Sequence, residues 1–295
     1  MRQLISVIAP CFNHAEYIVG CLKSIESQRG HRIELILIDD CSTDNSVEIA
    51  KSALRQQDIS SDAFENVIVI KNESNKGAHE TINTGINLAG GEYVTIINTD
   101  DEYSPGRFDR LLAIIEETSS DLVFSGVSCI DSKSQDMRSG DMYFENSLLA
   151  LDPGKFSPDF LNRNPAITTG NLFFRRSLIS KGLRFRGLKY CHDWDFLLSA
   201  FLLGKVCWSK DKLYKYRLHQ QNSFNKLSHI ADIETLSVLA NFTHNLYRLN
   251  CFEKLFQSYY EWISIESSVD NLGRSRLVNS AAFCEPSELS KLDHD

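Results

Sequence analysis

The chain has 295 residues, 42% of them hydrophobic and 24% charged, which is ordinary for a globular protein with a sizeable core. Its formal net charge of −8 argues against a general nucleic-acid surface, because binding to phosphate backbones depends on clustered lysine and arginine. The amino end carries too short an apolar run for a signal peptide, and no stretch reaches the roughly 18 apolar residues of a membrane span. The eight cysteines show no zinc-ligand spacing, so we expect reduced thiols and a cytoplasmic protein.

Apolar runs and helical patterns alternate along the first third of the chain. The apolar runs, each of strand length, are 4–9, 33–38, 67–70 and 93–97. Apolar residues at helical spacing fill the intervals, at 17–25, 47–54 and 81–89. This alternation predicts an α/β fold with a mainly parallel sheet, whose strands end together at one ligand-binding edge.

Two of these strands end in adjacent aspartates, Asp39 with Asp40 and Asp100 with Asp101. Unpaired carboxylates are costly to bury, so such pairs are expected to face a crevice where a cation or hydrogen-bond donors reach them. A hard divalent metal that carries phosphates would satisfy the second pair. The alternative is that this pair only begins a helix, since Ser104 and Pro105 follow closely.

The second half of the chain has a less regular pattern. It predicts a helix at 107–117, a strand at 122–125, a loop or hairpin at 131–141, a strand at 167–174, a helix at 193–203, and short strands at 206–208 and 213–218. Beyond residue 219 a longer helical periodicity predicts a helical appendage over 225–295. We expect the appendage to pack on the main domain or to pair two subunits.

Five segments in this order resemble the family 2 glycosyltransferases of the GT-A fold. They are VIAPCFN, LILIDDCSTDNS, NKGAHETINTGINLAGGEYVTIINTDD, CHDWDF and YRLHQQNS, and the resemblance covers about residues 4–224. It implies a GT-A glycosyltransferase domain over 1–224, with a nucleotide-sugar-binding half at 1–105, an acceptor-binding half at 106–224, and the appendage at 225–295.

The resemblance assigns a nucleotide-binding role to residues at the ends of the first strands. These are Pro10, Phe12, Asn13, Asp40, Asn75, Lys76 and Asp100. It implies that the Phe12 ring lies beside the base and that Asp40 contacts the base, while Asp39 is an internal hydrogen-bond partner that shapes the loop. Gly77 belongs to the same loop as Lys76.

The resemblance also implies a divalent metal, Mn²⁺ or Mg²⁺. Asp101 is the preferred metal ligand, and Asp100 would contact the ribose or a metal-bound water. The first acidic position of the family's DXD motif is Asn98 here, so it is not counted as a ligand. His219 matches a position beside the metal and diphosphate, although a lone histidine is often structural. Arg217 fits either a phosphate contact or a structural one.

Asp193 matches the family's catalytic base, and His192 stands where glutamate is commoner. The alternative for Asp193 is a helix N-cap or a partner of the helix dipole. Residues two apart on a helix point to different sides, so Asp193 and Asp195 should not share a site. A single carboxylate favours one displacement with inversion over a retaining double displacement.

These inferences predict a cytoplasmic, metal-dependent, inverting glycosyltransferase that uses a nucleotide sugar, preferably UDP-linked. The expected acceptor is a growing saccharide of a bacterial surface polysaccharide or a lipid-linked saccharide, read by the second half of the chain, including 164–171. Peripheral membrane contact and a homodimer through the helical tail stay open. The alternatives are a non-catalytic nucleotide-sugar-binding protein and a nucleotidyltransferase, although PCFNHAEY lacks the basic phosphate loop of the latter. A dehydrogenase is disfavoured because no G-x-G-x-x-G follows the first strand.

Overall fold

The computed structural model describes residues 3–55, 59–60, 62–137, 152–219 and 227–255, and these form one mixed sheet of eight strands covered by helices. The strands are β1 (Leu4–Cys11), β2 (Arg32–Asp39), β3 (Asn66–Lys71), β4 (Tyr93–Ile96), β5 (Glu102–Tyr103), β6 (Leu122–Ile130), β7 (Phe173–Arg175) and β8 (Val206–Arg217). The helices are α1 (Ile18–Glu26), α2 (Ser46–Arg55), α3 (Ala78–Leu88), α4 (Arg107–Thr118), α5 (Ser177–Ser180), α6 (His192–Leu203), α7 (Ala231–Arg248) and α8 (Phe252–Leu255). The strand order is β3-β2-β1-β4-β7-β6-β8-β5.

The first four strands form the parallel part of the sheet that the sequence predicts. β1 lies between β2 and β4, with Ile5 opposite both Ile33 and Tyr93. The strand is buried almost throughout because helices cover both faces, as its continuous apolar run requires. Helix α3 packs so closely on β1 that a Cβ at Gly85 would lie 2.4 Å from the Ile8 side chain. A glycine is therefore needed where this helix crosses the sheet.

The second half of the chain joins the same sheet. β7 pairs antiparallel with both β4 and β6, and β6 pairs parallel with β8. Strand β4 of the first half is thus bonded directly to a strand of the second half. This antiparallel insertion places the loop before β7 next to the end of β4.

The prediction of a strand at 167–174 is mostly wrong. The structure has a 3₁₀ turn at Thr169–Asn171, followed by the short strand β7. The reason is tertiary: the Asn171 side chain is buried and bonds the carbonyl oxygens of Ser125 and Ala166 at 2.7 and 3.1 Å. Gly170 lies against the Tyr214 phenol, and both contacts require a turn at this place.

The predicted strands at 206–208 and 213–218 are one strand, β8, and β6 extends to Ile130. The polar residues that interrupted the apolar pattern are accommodated by shifts in the β6–β8 register on either side of Gly126. Residues 131–137 of the predicted loop follow β6, whereas 138–141 lie outside the described residues.

Helix α7 lies within the predicted appendage and packs against α6. Its buried residues Val238, Phe242 and Leu246 belong to the same hydrophobic cluster as α6. The rest of the appendage, apart from 227–255, lies outside the described residues. Within the described part of the chain, no helix combines the length and apolar character needed to cross a bilayer.

Candidate active site

The loop after β1 is fixed to the loop after β2 by Asn13. Asn13 has a left-handed backbone, with φ of 59°, and its Oδ1 accepts bonds from the amides of Thr43 and Asp44 at 2.8 and 3.4 Å. Its own amide donates to Ser42 Oγ at 2.9 Å. Asparagine is among the few residues that tolerate this backbone conformation. The neighbouring Phe12 ring is 43% exposed and is left at the edge of the sheet.

Asp40 organises the loop before α3. Its Oδ1 accepts bonds from the Lys76 amide and Asn72 Nδ2, and its Oδ2 accepts one from the Gly77 amide, each at 2.8 Å. Gly77 has φ of 85°, a conformation that favours glycine. The side chains of Asn75 and Lys76 are exposed. Asp40 thus shapes this loop, and its predicted contact to a base stays a prediction.

Two further contacts close the strand ends at this edge. Asp39 is fully buried, and its Oδ2 accepts the Ser42 amide at 3.1 Å and lies 3.7 Å from Lys71 Nζ. Asp39 Oδ1 is buried without a hydrogen-bond partner among the described residues, so the internal role of Asp39 stays a prediction. The Pro10 carbonyl accepts the Thr99 hydroxyl at 3.1 Å, which ties the end of β1 to the end of β4.

Asp100 faces two histidines. Its Oδ2 lies 3.0 Å from His219 Nε2 and 3.6 Å from His14 Nε2. His14 Nδ1 in turn bonds Thr99 Oγ1 at 2.8 Å. Burial by itself would raise the pKa of Asp100, but the His14 charge and the His219 hydrogen bond outweigh burial and lower the pKa. Asp100 is therefore held as a carboxylate.

The adjacent Asp101 is turned into the protein. Its Oδ2 accepts bonds from the Tyr214 hydroxyl at 2.6 Å and from Asn98 Nδ2 at 3.2 Å, and its Oδ1 accepts the Arg217 amide at 2.8 Å. Burial, and then the charge of Asp100, raise the pKa of Asp101 well above its usual range. Both carboxylate oxygens of Asp101 thus have internal partners, whereas the partners of Asp100 Oδ2 are the two histidines.

Arg217 makes structural contacts. Its guanidinium donates to the carbonyl oxygens of Asp100 and Asp131, both at 2.6 Å, and to Glu102 Oε1 at 2.7 Å. It also lies over the Tyr17 ring, with its Cζ 4.9 Å from the ring centroid. Of the two roles that the sequence left open, these bonds support the structural one.

The Asp100 and His219 pair fits a divalent metal. Adjacent ligands with bonds of about 2.1 Å at right angles are about 3 Å apart, and the Asp100 Oδ2 to His219 Nε2 distance is 3.0 Å. A carboxylate oxygen and an imidazole nitrogen are also ligands that Mn²⁺ accepts. Across the part of the chain that the structure describes, no group of three or more His, Cys, Asp or Glu side chains could hold a metal.

Asp193 is the second residue of helix α6. Its Oδ1 accepts the amide of Trp194 at 2.8 Å, so it does bond the first turn of its own helix. Burial raises the pKa of Asp193 to about 7, and this amide and the nearby Asn164 side chain oppose the rise only in part. A carboxyl group with such a pKa changes its charge near neutral pH.

Contacts connect Asp193 to the end of β4. Asn98 Nδ2 donates to Thr168 Oγ1 at 2.9 Å, and Thr169 Oγ1 lies 3.0 Å from Nε2 of His192. His192 directly precedes Asp193. Burial lowers the pKa of His192 to about 4, so its ring is neutral near neutral pH.

Tyr216 of β8 is influenced by carboxylates of both parts of the site. Burial raises the pKa of its phenol, and the charges of Asp101, Asp100 and Asp193 raise it further. This agrees with the contacts through Thr168 and Thr169, which bring the end of β4 and the start of α6 together.

Asp195 lies on the other side of α6. Its oxygens accept bonds from Arg186 Nε and Nη2 at 2.9 and 2.5 Å, and Asn241 Nδ2 of α7 donates to it at 3.1 Å. This agrees with the expectation that Asp193 and Asp195 do not share a site.

His14 and Tyr214 contribute to the site, and sequence reasoning missed both. His14 follows the strand-end loop PCFN, where a polar side chain at a parallel-sheet edge could have been noticed. Tyr214 carried no such signal, because its bond to Asp101 joins residues far apart in the chain.

The comparisons with known proteins identify the family of the chain. The family model described as "Glycosyl transferase family 2" matches residues 6–183. Among curated relatives, Glycosyltransferase GlyG of Streptococcus pneumoniae is 35% identical over 144 residues, which cover 49% of this chain and 44% of GlyG. The chain thus spans less than half the length of this relative.

Two solved structures show the fold. S. aureus TarS in complex with UDP-GlcNAc matches with a TM-score of 0.60 and 19% identity, covering 91% of this chain and 80% of the TarS chain. The mannosyltransferase PcManGT of Pyrobaculum calidifontis, in complex with GDP-Man and Mn²⁺, matches with a TM-score of 0.61 and 15% identity, covering 96% and 80%. The predicted GT-A fold is confirmed, and the chain belongs to glycosyl transferase family 2.

Proposed function

We propose that this protein transfers a sugar from a nucleotide-sugar donor to an acceptor hydroxyl with inversion at the sugar carbon. The observation that carries the proposal is the link between the end of β4 and the start of α6, made by the contacts of Asn98 with Thr168 and of Thr169 with His192, which brings together two different kinds of carboxylate. Asp100 is paired with His219, whereas burial raises the pKa of Asp193 to about 7. A carboxylate near the diphosphate requires the first environment, and a carboxylate that accepts a proton requires the second.

The proposed donor is a UDP-sugar, held at the ends of β1 to β4. The exposed Phe12 ring offers a face for the base, and Asn13 fixes the loop that carries it. Asp40 holds the loop in which Lys76 and Asn75 are exposed to a ligand. The nucleotide sugars named for TarS and PcManGT support a donor of this class.

The proposed cofactor is Mn²⁺ or Mg²⁺. Asp100 and His219 would hold it, since their facing atoms have the separation of adjacent ligands. When bound, the metal would act as a Lewis acid and stabilise the negative charge of the leaving diphosphate. Asp101, which the sequence favoured as the metal ligand, lies behind Asp100 with both oxygens engaged by protein groups.

The proposed catalytic base is Asp193. A carboxylate within hydrogen-bond reach of the acceptor hydroxyl can take its proton as the new glycosidic bond forms, and such a base works best with a pKa near the working pH. A retaining double displacement needs a second carboxylate as nucleophile. Asp195 is bonded to Arg186 and Asn241 instead, which supports inversion.

The proposed acceptor is a growing saccharide, free or lipid-linked, of a bacterial surface polysaccharide assembled on the cytoplasmic side. The support for this acceptor is membership of the family, in which one fold serves many acceptors. The second half of the chain would recognise it, because Asn164 and the turn at Thr169–Asn171 lie next to Asp193 and His192.

A screen of nucleotide sugars with and without Mn²⁺ tests the proposal. We expect one donor class to bind in a metal-dependent way and to be hydrolysed slowly in the absence of acceptor. Binding with neither hydrolysis nor transfer would indicate a nucleotide-sugar-binding protein. Failure of every donor to bind would overturn the proposed function.

A further inference from the structure

One carboxylate of the tail helix holds the segment in front of Asp193. Glu234 lies in the first turn of α7, and its Oε1 accepts the Lys189 amide at 2.7 Å. Its Oε2 accepts the amides of Tyr190 and Cys191 at 2.7 and 2.9 Å. Three consecutive backbone N–H groups therefore point at one ionisable side chain from a distant part of the chain.

Helix α6 receives no capping bond from its N-cap residue, although Asp193 bonds the Trp194 amide within its first turn. Cys191 is its N-cap residue and makes no side-chain capping bond. The first amides of a helix are left without partners inside the helix, and a carboxylate near them is favoured by the helix dipole. Glu234 supplies that negative charge at the turn that leads into Asp193.

A second connection ties α6 to the same tail helix. The Asp195 carboxylate binds Arg186 and Asn241, and Arg186 Nη2 also donates to the Ser237 carbonyl at 3.2 Å. Residues on both sides of Asp193 are thus bonded, directly or through Arg186, to α7. The position of Asp193 depends on a helix that lies outside the span 6–183 matched by the family model.

We infer that Glu234 is a positioning residue for Asp193, and that helix α7 is a working part of the acceptor side of the site. This inference rests on the proposed function, in which Asp193 takes the acceptor proton. Glu234 itself touches no reacting atom. It acts by holding residues 189–191, and through them the start of α6, in the place from which Asp193 reaches the acceptor.

The inference predicts a selective kinetic effect. Misplacement of a catalytic group by about 1 Å can cost on the order of 10²-fold in rate, so we expect Glu234→Ala to lower kcat about 10- to 100-fold. The donor site is held by other strands, so the Kd for the nucleotide should stay within about twofold. Glu234→Gln keeps one acceptor oxygen and should fall between the wild type and Glu234→Ala. Asp232→Ala, an exposed carboxylate in the same turn of α7, should leave kcat unchanged.

A double-mutant cycle separates positioning from a general structural role. If Glu234 acts through Asp193, Glu234→Ala should have little further effect on the residual rate of Asp193→Asn. An equal loss of rate in both backgrounds would overturn the inference. If Glu234→Ala fails to fold, Glu234→Gln decides in its place, and an unchanged kcat in Glu234→Gln also overturns the inference.

The same set of variants separates this inference from the proposed function. Full transfer activity in Asp193→Asn would remove the proposed base and the basis of the inference together. Loss of transfer in Asp193→Asn with wild-type kcat in both Glu234 variants would leave the proposed function intact and refute the positioning role alone.

Discussion

The proposed donor and acceptor sides of the site hold their carboxylates in opposite ways. Asp100 follows a central strand and lies beside His14 and His219, and the histidines lower the pKa of its carboxyl group against the effect of burial. Asp193 begins a helix, and burial raises its pKa to about 7. Asp100 is thus held as a carboxylate, while Asp193 can accept a proton near neutral pH.

The two sides also differ in what supports them. The donor side is built from neighbouring strand ends, with Thr99 bonded to Pro10 and His14. The acceptor side depends on helix α7, through Glu234 and Asn241. Substitutions on the acceptor side should therefore affect the rate of transfer, and those on the donor side should affect nucleotide and metal binding.

The largest effect is expected from Asp193→Asn. Removing a general base typically costs about 10²- to 10⁴-fold, so transfer should fall by that factor. Donor binding, measured by calorimetry in the presence of Mn²⁺, should stay close to that of the wild type. Transfer at the wild-type rate would rule out Asp193 as the base.

The next largest effects are expected from Asp100→Asn, on metal-dependent donor binding, and from Asp101→Ala, on stability. Asp100→Asn should weaken Mn²⁺-dependent donor binding by at least about 10-fold, because its Oδ2 faces the proposed metal. Asp101→Ala leaves the Tyr214 hydroxyl and the Arg217 amide without their acceptor, so it should cost about 1–3 kcal/mol of stability. Titration with Mn²⁺ and thermal unfolding distinguish the two. If Asp101→Ala lost Mn²⁺ affinity and Asp100→Asn did not, Asp101 would be the metal ligand instead of Asp100.

A smaller effect is expected from Gly170→Ala, which tests the packing between the two sides. The added Cβ would lie 1.9 Å from the Tyr214 Oη, so the phenol must move and its bond to Asp101 must weaken. Overpacking of this kind costs about 1–3 kcal/mol, which denaturant unfolding can measure. As the control, a Cβ at Gly90 meets the Glu34 side chain at an ordinary 3.5 Å. An equal loss of stability in Gly90→Ala would refute this explanation.

The last prediction concerns the pH dependence of stability at Asp193. Its pKa in the folded protein, about 7, lies above the ordinary value of 3.8, so the folded state binds the proton more tightly. The stabilisation from this proton is complete below the ordinary pKa and is lost as the pH rises to about 7. Asp193→Asn avoids that loss, so its Tm relative to the wild type should be higher at about pH 8 than at about pH 5. A constant Tm difference would contradict the raised pKa.

The first half of the fold could be predicted because its strands are buried on both faces. Runs such as Leu4–Cys11 are then apolar at nearly every position, with Ser6 as the polar exception, which a sequence shows directly. The turn at Thr169–Asn171 could not be predicted, since the side chain of Asn171 and the absent side chain of Gly170 fit partners far along the chain. The polar residues in the middle of β8 likewise concealed a continuous strand.

The sequence predicted which loops form the candidate site, but not which role each residue of those loops has. Asp100 and Asp101 look equivalent in sequence. Only the structure shows that the Asp100 side chain faces His219 and the Asp101 side chain faces Tyr214. Glu234 shows the same limit, because its partners at 189–191 lie more than forty residues earlier.

The most direct test of the account is the pH profile of kcat/KM for transfer by the wild type and by Asp193→Asn. This ratio reports the pKa of essential groups in the free enzyme. We expect the wild-type value to rise with pH and to level off above about 7, the pKa of Asp193, and the residual activity of Asp193→Asn to lack that rise. A flat wild-type profile, or the same rise in Asp193→Asn, would contradict the assignment of Asp193 as a half-buried catalytic base.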